Sequence, residues 1–270
     1  MSAPQIIPLV QVDAFADAPF AGNPAAVMPL DNWLSDAELQ AIAQENNLSE
    51  TAFYLPDDSG AADFELRWFT PTDEVALCGH ATLASGHVVL SEGDADRVTF
   101  RTRRSGVLSV DRDGDGYALG LPAWKPEPRD LPELAAAMGG SVEATLWHPG
   151  RYAVFVYRDA DAILALEPDM AALTAAGNIL YIATAPGAGS AYGSDIVSRV
   201  FAPAAGVPED PVTGSAHCIL TPYWSDRLGR ESFTAWQASK RGGRIECRLA
   251  GDRAVLTGKC VTVIEGVMRV

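Results

Sequence analysis

Two stretches of this 270-residue chain run through the same structural events in the same order. Ala26-Val27 opens a strand, a helical segment follows, and Ala52-Phe53-Tyr54 forms a second strand. Ala153-Val154 opens a strand, a helical segment follows, and Leu180-Tyr181-Ile182 forms a second strand. Next come Phe69-Thr70-Pro71 in the first half and Phe201-Ala202-Pro203 in the second. Each leads through a loop to a Gly-led apolar helix, Gly79-His80-Ala81-Thr82 or Gly214-Ser215-Ala216-His217, and the second loop is three residues longer. Self-similarity over so many elements constrains the fold more than any single motif. It predicts a duplicated α+β unit. A pseudo-twofold pair of such units would turn the two helix starts toward one cleft. There a ligand would meet unpaired backbone N–H groups from both.

Within the first half, Ser35-Asp36-Ala37-Glu38 is a capping box opening a helix with Leu39, Ile42 and Ala43 on its apolar face and an end near Asn46-Asn47. Glu45 falls in its last turn, where negative charge opposes the helix dipole. Such a local inconsistency marks either a solvated surface residue or a functional position. Strands are expected over 6–15, 50–55 and 64–69, and a meander over 97–121. Asp111 to Gly116 begins like a calcium loop, but Pro122 stands where the closing Glu is needed, so it reads as a hairpin turn. Pro122 to Leu134 reads as a linker, and Asp161 to Ala176 as a helix broken by Pro168. The last strands are expected over 233–237, 244–249, 254–263 and 266–270.

Composition narrows the chemistry. A net charge of −15 argues against nucleic acid or an anionic membrane as partner. It leaves room for a small anion, since a helix start can override the global sign locally. Cys78, Cys218, Cys247 and Cys260 show no metal-ligand spacing, so no metal is expected. There is no apolar run of about 18 residues and no basic-then-apolar leader over Met1 to Phe15; a cytoplasmic protein with reduced thiols is expected. Gly187-Ala188-Gly189 is next followed by Gly193, which fails the dinucleotide fingerprint, and no Gly-x-Ser-x-Gly elbow occurs.

Several ordered motifs carry a resemblance over essentially the full length. They are Val12-Asp13-Ala14-Phe15, Phe20-Ala21-Gly22-Asn23-Pro24, Glu45 through Phe53, Arg67-Trp68-Phe69-Thr70-Pro71, Cys78-Gly79-His80-Ala81-Thr82 and Glu209 through His217. Together they resemble the phenazine-biosynthesis PhzF-like proteins, which share the diaminopimelate epimerase fold. The resemblance implies an α+β fold of two pseudo-symmetric lobes, each a curved, mainly antiparallel sheet or barrel around a central helix. The lobes would span 1–122, completed by a C-terminal strand 264–270, and 123–263.

The resemblance also implies a cofactor-independent isomerase or epimerase that shifts a proton on a small carboxylate-bearing amino or oxo acid in the cleft between the lobes. Glu45 matches the general acid/base position, with His80, Asp210 and Ser215 completing the catalytic set. Gly79, Gly214 and Asn23 would hold the substrate, and members are commonly homodimers. Read locally, Ser215 is equally an N-cap and Asp210 a turn residue before Pro211. The thiol-pair enzymes of this fold use facing cysteines; here the partner of Cys78 is Thr213, which disfavours a two-thiol racemase. The rival reading is a non-catalytic metabolite-binding protein on the same fold.

Overall fold

The computed structural model describes residues 5–270. The chain divides into two compact units, one running to Gly120 and resumed by Thr257–Val270, the other Leu121–Leu256. The return to the first unit comes earlier than the expected residue 264. The break expected between residues 263 and 266 is absent: the final strand runs through it, with Gly266 opposite Leu9. The interruption falls instead just past Gly258, where a side chain would collide with the Phe15 ring.

The first unit holds β1 (Ile6–Ala14), β2 (Asn23–Pro29), α1 (Asp36–Asn46), β3 (Glu50–Pro56), β4 (Phe64–Phe69), β5 (Glu74–Val75), α2 (Gly79–Ser91), β6 (Arg97–Thr102), β7 (Val107–Asp113) and β8, which begins at Gly116. β2 pairs parallel with β3, β3 antiparallel with β4, and β4 antiparallel with β5 but parallel with β6, which pairs antiparallel with β7. The Ser35 capping box is present, and Asn47 closes α1 in the left-handed conformation. At the 111–116 hairpin, β7 and β8 pair through Asp113 and Gly116.

The second unit holds β9 (Glu127–Pro128), α3 (Pro132–Met138), β10 (Ala144–His148), β11 (Tyr152–Val156), α4 (Ala160–Leu164), α5 (Met170–Ala175), β12 (Leu180–Pro186), β13 (Ile196–Ala202), β14 (Val207–Asp210), α6 (Gly214–Leu228), β15 (Ser232–Gln237) and β16 (Gly243–Ala250). β17 (Arg253–Gly258) leads back to the first unit, where β18 (Cys260–Arg269) pairs antiparallel with β1. The second unit repeats the pairing of the first. β11 is parallel to β12, β12 antiparallel to β13, and β13 antiparallel to β14 but parallel to β15, which is antiparallel to β16. The expected helix over 161–176 is two short helices parted around Pro168, the second capped by Asp169. Two stretches expected to be irregular carry short strands: β9 in the linker, and β14 in the longer second loop.

α2 and α6 are buried along most of their length, with none of the one-sided stripe of a surface helix. That is the environment of a helix enclosed by sheet. Gly86 makes it possible in the first unit, since a Cβ there would lie 2.4 Å from the Val110 side chain of β7. In the second unit Pro222 sits inside α6 and cannot donate to the Cys218 carbonyl four residues back. The Trp124 backbone N–H donates to that carbonyl instead, at 2.9 Å.

Candidate active site

α2 and α6 begin alike. Their N-cap residues, Cys78 and Thr213, are extended, and neither side chain caps the helix. No acidic residue occupies either first turn. α1, α4 and α5, by contrast, are capped by Ser35, Asp159 and Asp169. One turn in, each start is braced the same way: Thr82 Oγ1 donates to Cys78 O at 2.5 Å, and His217 Nδ1 lies 2.8 Å from Thr213 O. Two helix starts without a side-chain cap, following Gly79 and Gly214, suit an anionic ligand.

At the α2 start His80 is buried. Its Nε2 lies 3.0 Å from Glu50 Oε2, and its Nδ1 lies 3.2 Å from Asn23 Nδ2 and 3.6 Å from Cys78 Sγ. An Nδ1 that accepts from Asn23 leaves the ring proton on Nε2, facing the carboxylate. Burial alone would push the imidazole pKa down. The Cys78 sulfur and the Glu50 carboxylate outweigh it and raise the ring well above its usual range. Burial, reinforced by Glu50, pushes the Cys78 thiol up to about 11, so it is a thiol at neutral pH. The negative charge acting on His80 at that pH is therefore Glu50's.

Glu45 is elsewhere. α1 buries Leu39, Ile42 and Ala43. Glu45 follows Ala43 by two residues, about 200° further round the helix, and is exposed. It lines a surface groove with Leu9, Ala41, Ile42 and Ile264. The carboxylate brought to His80 is Glu50, the first residue of β3. The sequence carried a signal for it: an acidic residue leading directly into Thr51-Ala52-Phe53-Tyr54, all buried. A carboxylate at the mouth of so buried a strand needs a partner.

At the α6 start Asp210 and Thr213 are joined, Thr213 Oγ1 donating to Asp210 Oδ2 at 2.5 Å. Gln237, fully buried on β15, accepts from Thr213 N at 2.9 Å and donates to Asp210 O at 2.8 Å. Ser215 is half-buried and hydrogen-bonded to the Tyr152 phenol at the start of β11. So each second helical residue is held from the equivalent strand: His80 by Asn23 of β2, Ser215 by Tyr152 of β11. Beside Tyr152, Trp124 stacks on His148 with ring centroids 5.4 Å apart.

Sequence reasoning also missed a paired clamp. Arg67 is bidentate to Glu74 (2.8 and 2.9 Å) and lies over Phe69. Arg199 is bidentate to Glu209 (2.7 and 3.1 Å) and lies over Phe201. The acceptor lies seven residues on in one half and ten in the other, which is the three-residue difference in loop length. Each clamp pins the loop that delivers a helix start. Arg67 also reaches Asp36 in the first turn of α1, whereas Arg199 reaches the Ile163 and Leu166 carbonyls near the end of α4.

Among the described residues no helix is long and apolar enough to cross a membrane. A model of the phenazine biosynthesis-like proteins (PhzC-PhzF) matches residues 12–266. A Pseudomonas aeruginosa protein described as an uncharacterized isomerase is 48% identical over 96% of this chain and 98% of its own length. The crystal structure of a phenazine biosynthesis protein of the PhzF family from Enterococcus faecalis superposes with a TM-score of 0.88 at 40% identity, over 98% of this chain and 99% of that one. A hydroxyproline epimerase from Agrobacterium vitis shares the fold at a TM-score of 0.63 and 13% identity, over 98% of this chain and 92% of that one.

Proposed function

Because the chain belongs to the phenazine biosynthesis-like (PhzC-PhzF) family, we propose that it is an isomerase acting without a cofactor on a small carboxylate-bearing amino or oxo acid. Glu50, in place of Glu45, is its general acid/base. The observation that carries this reading is the contact of Glu50 Oε2 with His80 Nε2, 3.0 Å, at a helix start with no side-chain cap. A proton α to a carboxylate or carbonyl is removed only if the developing enolate charge is met by fixed donors. The backbone N–H groups after Gly79 supply such donors, and the His80 ring, turned to Glu50, positions the carboxyl that handles the proton. Glu50 takes the proton from carbon, the electron pair passes to the enolate, and the same carboxyl returns the proton to another carbon or to the opposite face. At the α6 start, the N–H groups after Gly214 and the Ser215 hydroxyl bind the substrate's polar end, and Asp210 binds an amine or hydroxyl. Asn23 orients His80. The isomerase name of the close Pseudomonas relative supports the reaction class.

The test is hydrogen exchange. The protein is incubated in D2O with a panel of amino acids, oxo acids and cyclic unsaturated acids, and each is examined by mass spectrometry and NMR. An isomerase incorporates deuterium at carbon into its substrate or the isomer. Saturable binding of a panel member with no exchange at any pH would establish a binding protein instead.

A further inference from the structure

Glu50, Cys78 and His80 are more than a proton-handling group. Each offers a metal-ligating atom, and the three atoms lie within 4.8 Å of one another. Cys78 and His80 are buried, and Glu50, half-buried on β3, is the most accessible member. We propose that this cluster binds one thiophilic divalent cation, of which Zn²⁺ is the type, and that the bound cation blocks the site.

The geometry argues for it in three ways. Cys78 Sγ and His80 Nδ1 are 3.6 Å apart, and Glu50 Oε2 and His80 Nε2 are 3.0 Å apart. Tetrahedral zinc holds thiolate, imidazole and carboxylate at about 2.0–2.3 Å, which sets ligand-to-ligand edges at roughly 3.3–3.7 Å. The Cys78–His80 separation lies within that range and the Glu50–His80 separation a few tenths of an ångström short of it. Only one ring nitrogen can ligate a given cation, so a side chain must turn to complete the set; Glu50, the least buried of the three, is the one to turn. Second, His80 Nε2 and Glu50 Oε2 are buried and, despite their 3.0 Å approach, neither makes an aligned hydrogen bond. Buried polar atoms left so are costly, and a cation satisfies both. Third, one thiolate and one carboxylate match a divalent charge, and the sulfur–nitrogen–oxygen set favours Zn²⁺ or Co²⁺ over Mg²⁺ or Ca²⁺. Three protein ligands leave a fourth position open to water or a substrate carboxylate. Binding is a proton exchange: the cation enters, and the Cys78 thiol proton and any second proton on His80 leave to solvent.

The site itself stands on the geometry; only its inhibitory consequence rests on the isomerase reading. The experiment titrates the metal-stripped full-length protein with Co²⁺ and follows thiolate-to-cobalt charge-transfer absorption in the near ultraviolet. One equivalent should give the band, Zn²⁺ should abolish it by displacement, and excess Mg²⁺ should not. Cys78→Ser should lose the band while keeping its circular dichroism, and Glu50→Gln should bind Co²⁺ at least about tenfold more weakly. Absence of the band from the wild-type protein would overturn the proposal. So would a band that persists in Cys78→Ser, which would place the metal on another cysteine. In D2O, exchange into substrate should stop with one equivalent of Zn²⁺ and return with chelator. A protein that binds Co²⁺ through Cys78 but exchanges no substrate would sink the isomerase reading and leave the metal site standing.

Discussion

Two buried histidines, one at each central helix start, are driven in opposite directions. His80 sits beside Glu50 and is raised well above the usual imidazole range, although burial opposes it. His217 Nδ1 lies against the Thr213 carbonyl; burial dominates and pushes the ring down to about 4. The two lobes share their pairing scheme, their helix starts without side-chain caps and their Arg–Glu clamps. The difference between the histidines is the Cys78 sulfur and the Glu50 carboxylate set beside His80. On the proposed mechanism the Glu50–His80 pair at the α2 start moves the proton, while Ser215 and Asp210 at the α6 start hold the substrate.

That division can be broken first at His80. His80→Asn should lower kcat for exchange by roughly 10²- to 10⁴-fold with a much smaller change in KM. A change confined to KM would erase the distinction between the lobes.

The pH dependence of stability should separate them next. Between pH 6.5 and about 4 the unfolded chain protonates His217's imidazole while the folded chain keeps it neutral. Stability therefore falls over that window as pH is lowered, by roughly 3 kcal/mol, and levels off below it. His217→Gln should flatten that window in urea melts. His80 has the opposite sign. Its contribution is fully present below about pH 6.5 and is lost as pH rises through its raised folded value.

The clamps differ by degree. The Arg67 side chain is 2% exposed and its Glu74 partner 20%; for Arg199 and Glu209 the figures are 15% and 24%. Arg67→Met should cost about 2–3 kcal/mol of unfolding free energy and Arg199→Met about 1–2 kcal/mol. The reverse order would mean that the added Asp36 contact counts for little. Smallest of all, Ser215→Ala should raise KM by roughly three- to tenfold, about 1 kcal/mol, with kcat nearly unchanged.

Much of this was legible in the sequence. Duplication showed itself because strand, helix and turn signals are local and recur in register. It led to a duplicated α+β unit and to both helix starts, while the two-lobed fold and the roles of His80, Asp210 and Ser215 came only with the family resemblance. Glu45 was chosen by matching a family position; its charge against the α1 dipole left it equally a solvated surface residue, and neither signal says which way that helix faces. Glu50 reaches His80 only because β3 runs beside β2 in parallel, a pairing that spans the α1 crossover. The grouping of Glu50, Cys78 and His80 was hidden for the same reason. Cysteine spacing sees ligands within one segment, and here Glu50 lies 28 residues before Cys78. Likewise Arg67 and Arg199 look like ordinary strand arginines until the loops fold back over them.

The claim on which the rest turns is that Glu50 carries the proton. Deuterium incorporation into a substrate found by the panel should be compared for Glu50→Gln and Glu45→Gln, with circular dichroism confirming that both fold. The account predicts that Glu50→Gln loses exchange by about 10²-fold or more while Glu45→Gln stays within about twofold of wild type. Loss in Glu45→Gln with activity retained in Glu50→Gln would contradict it.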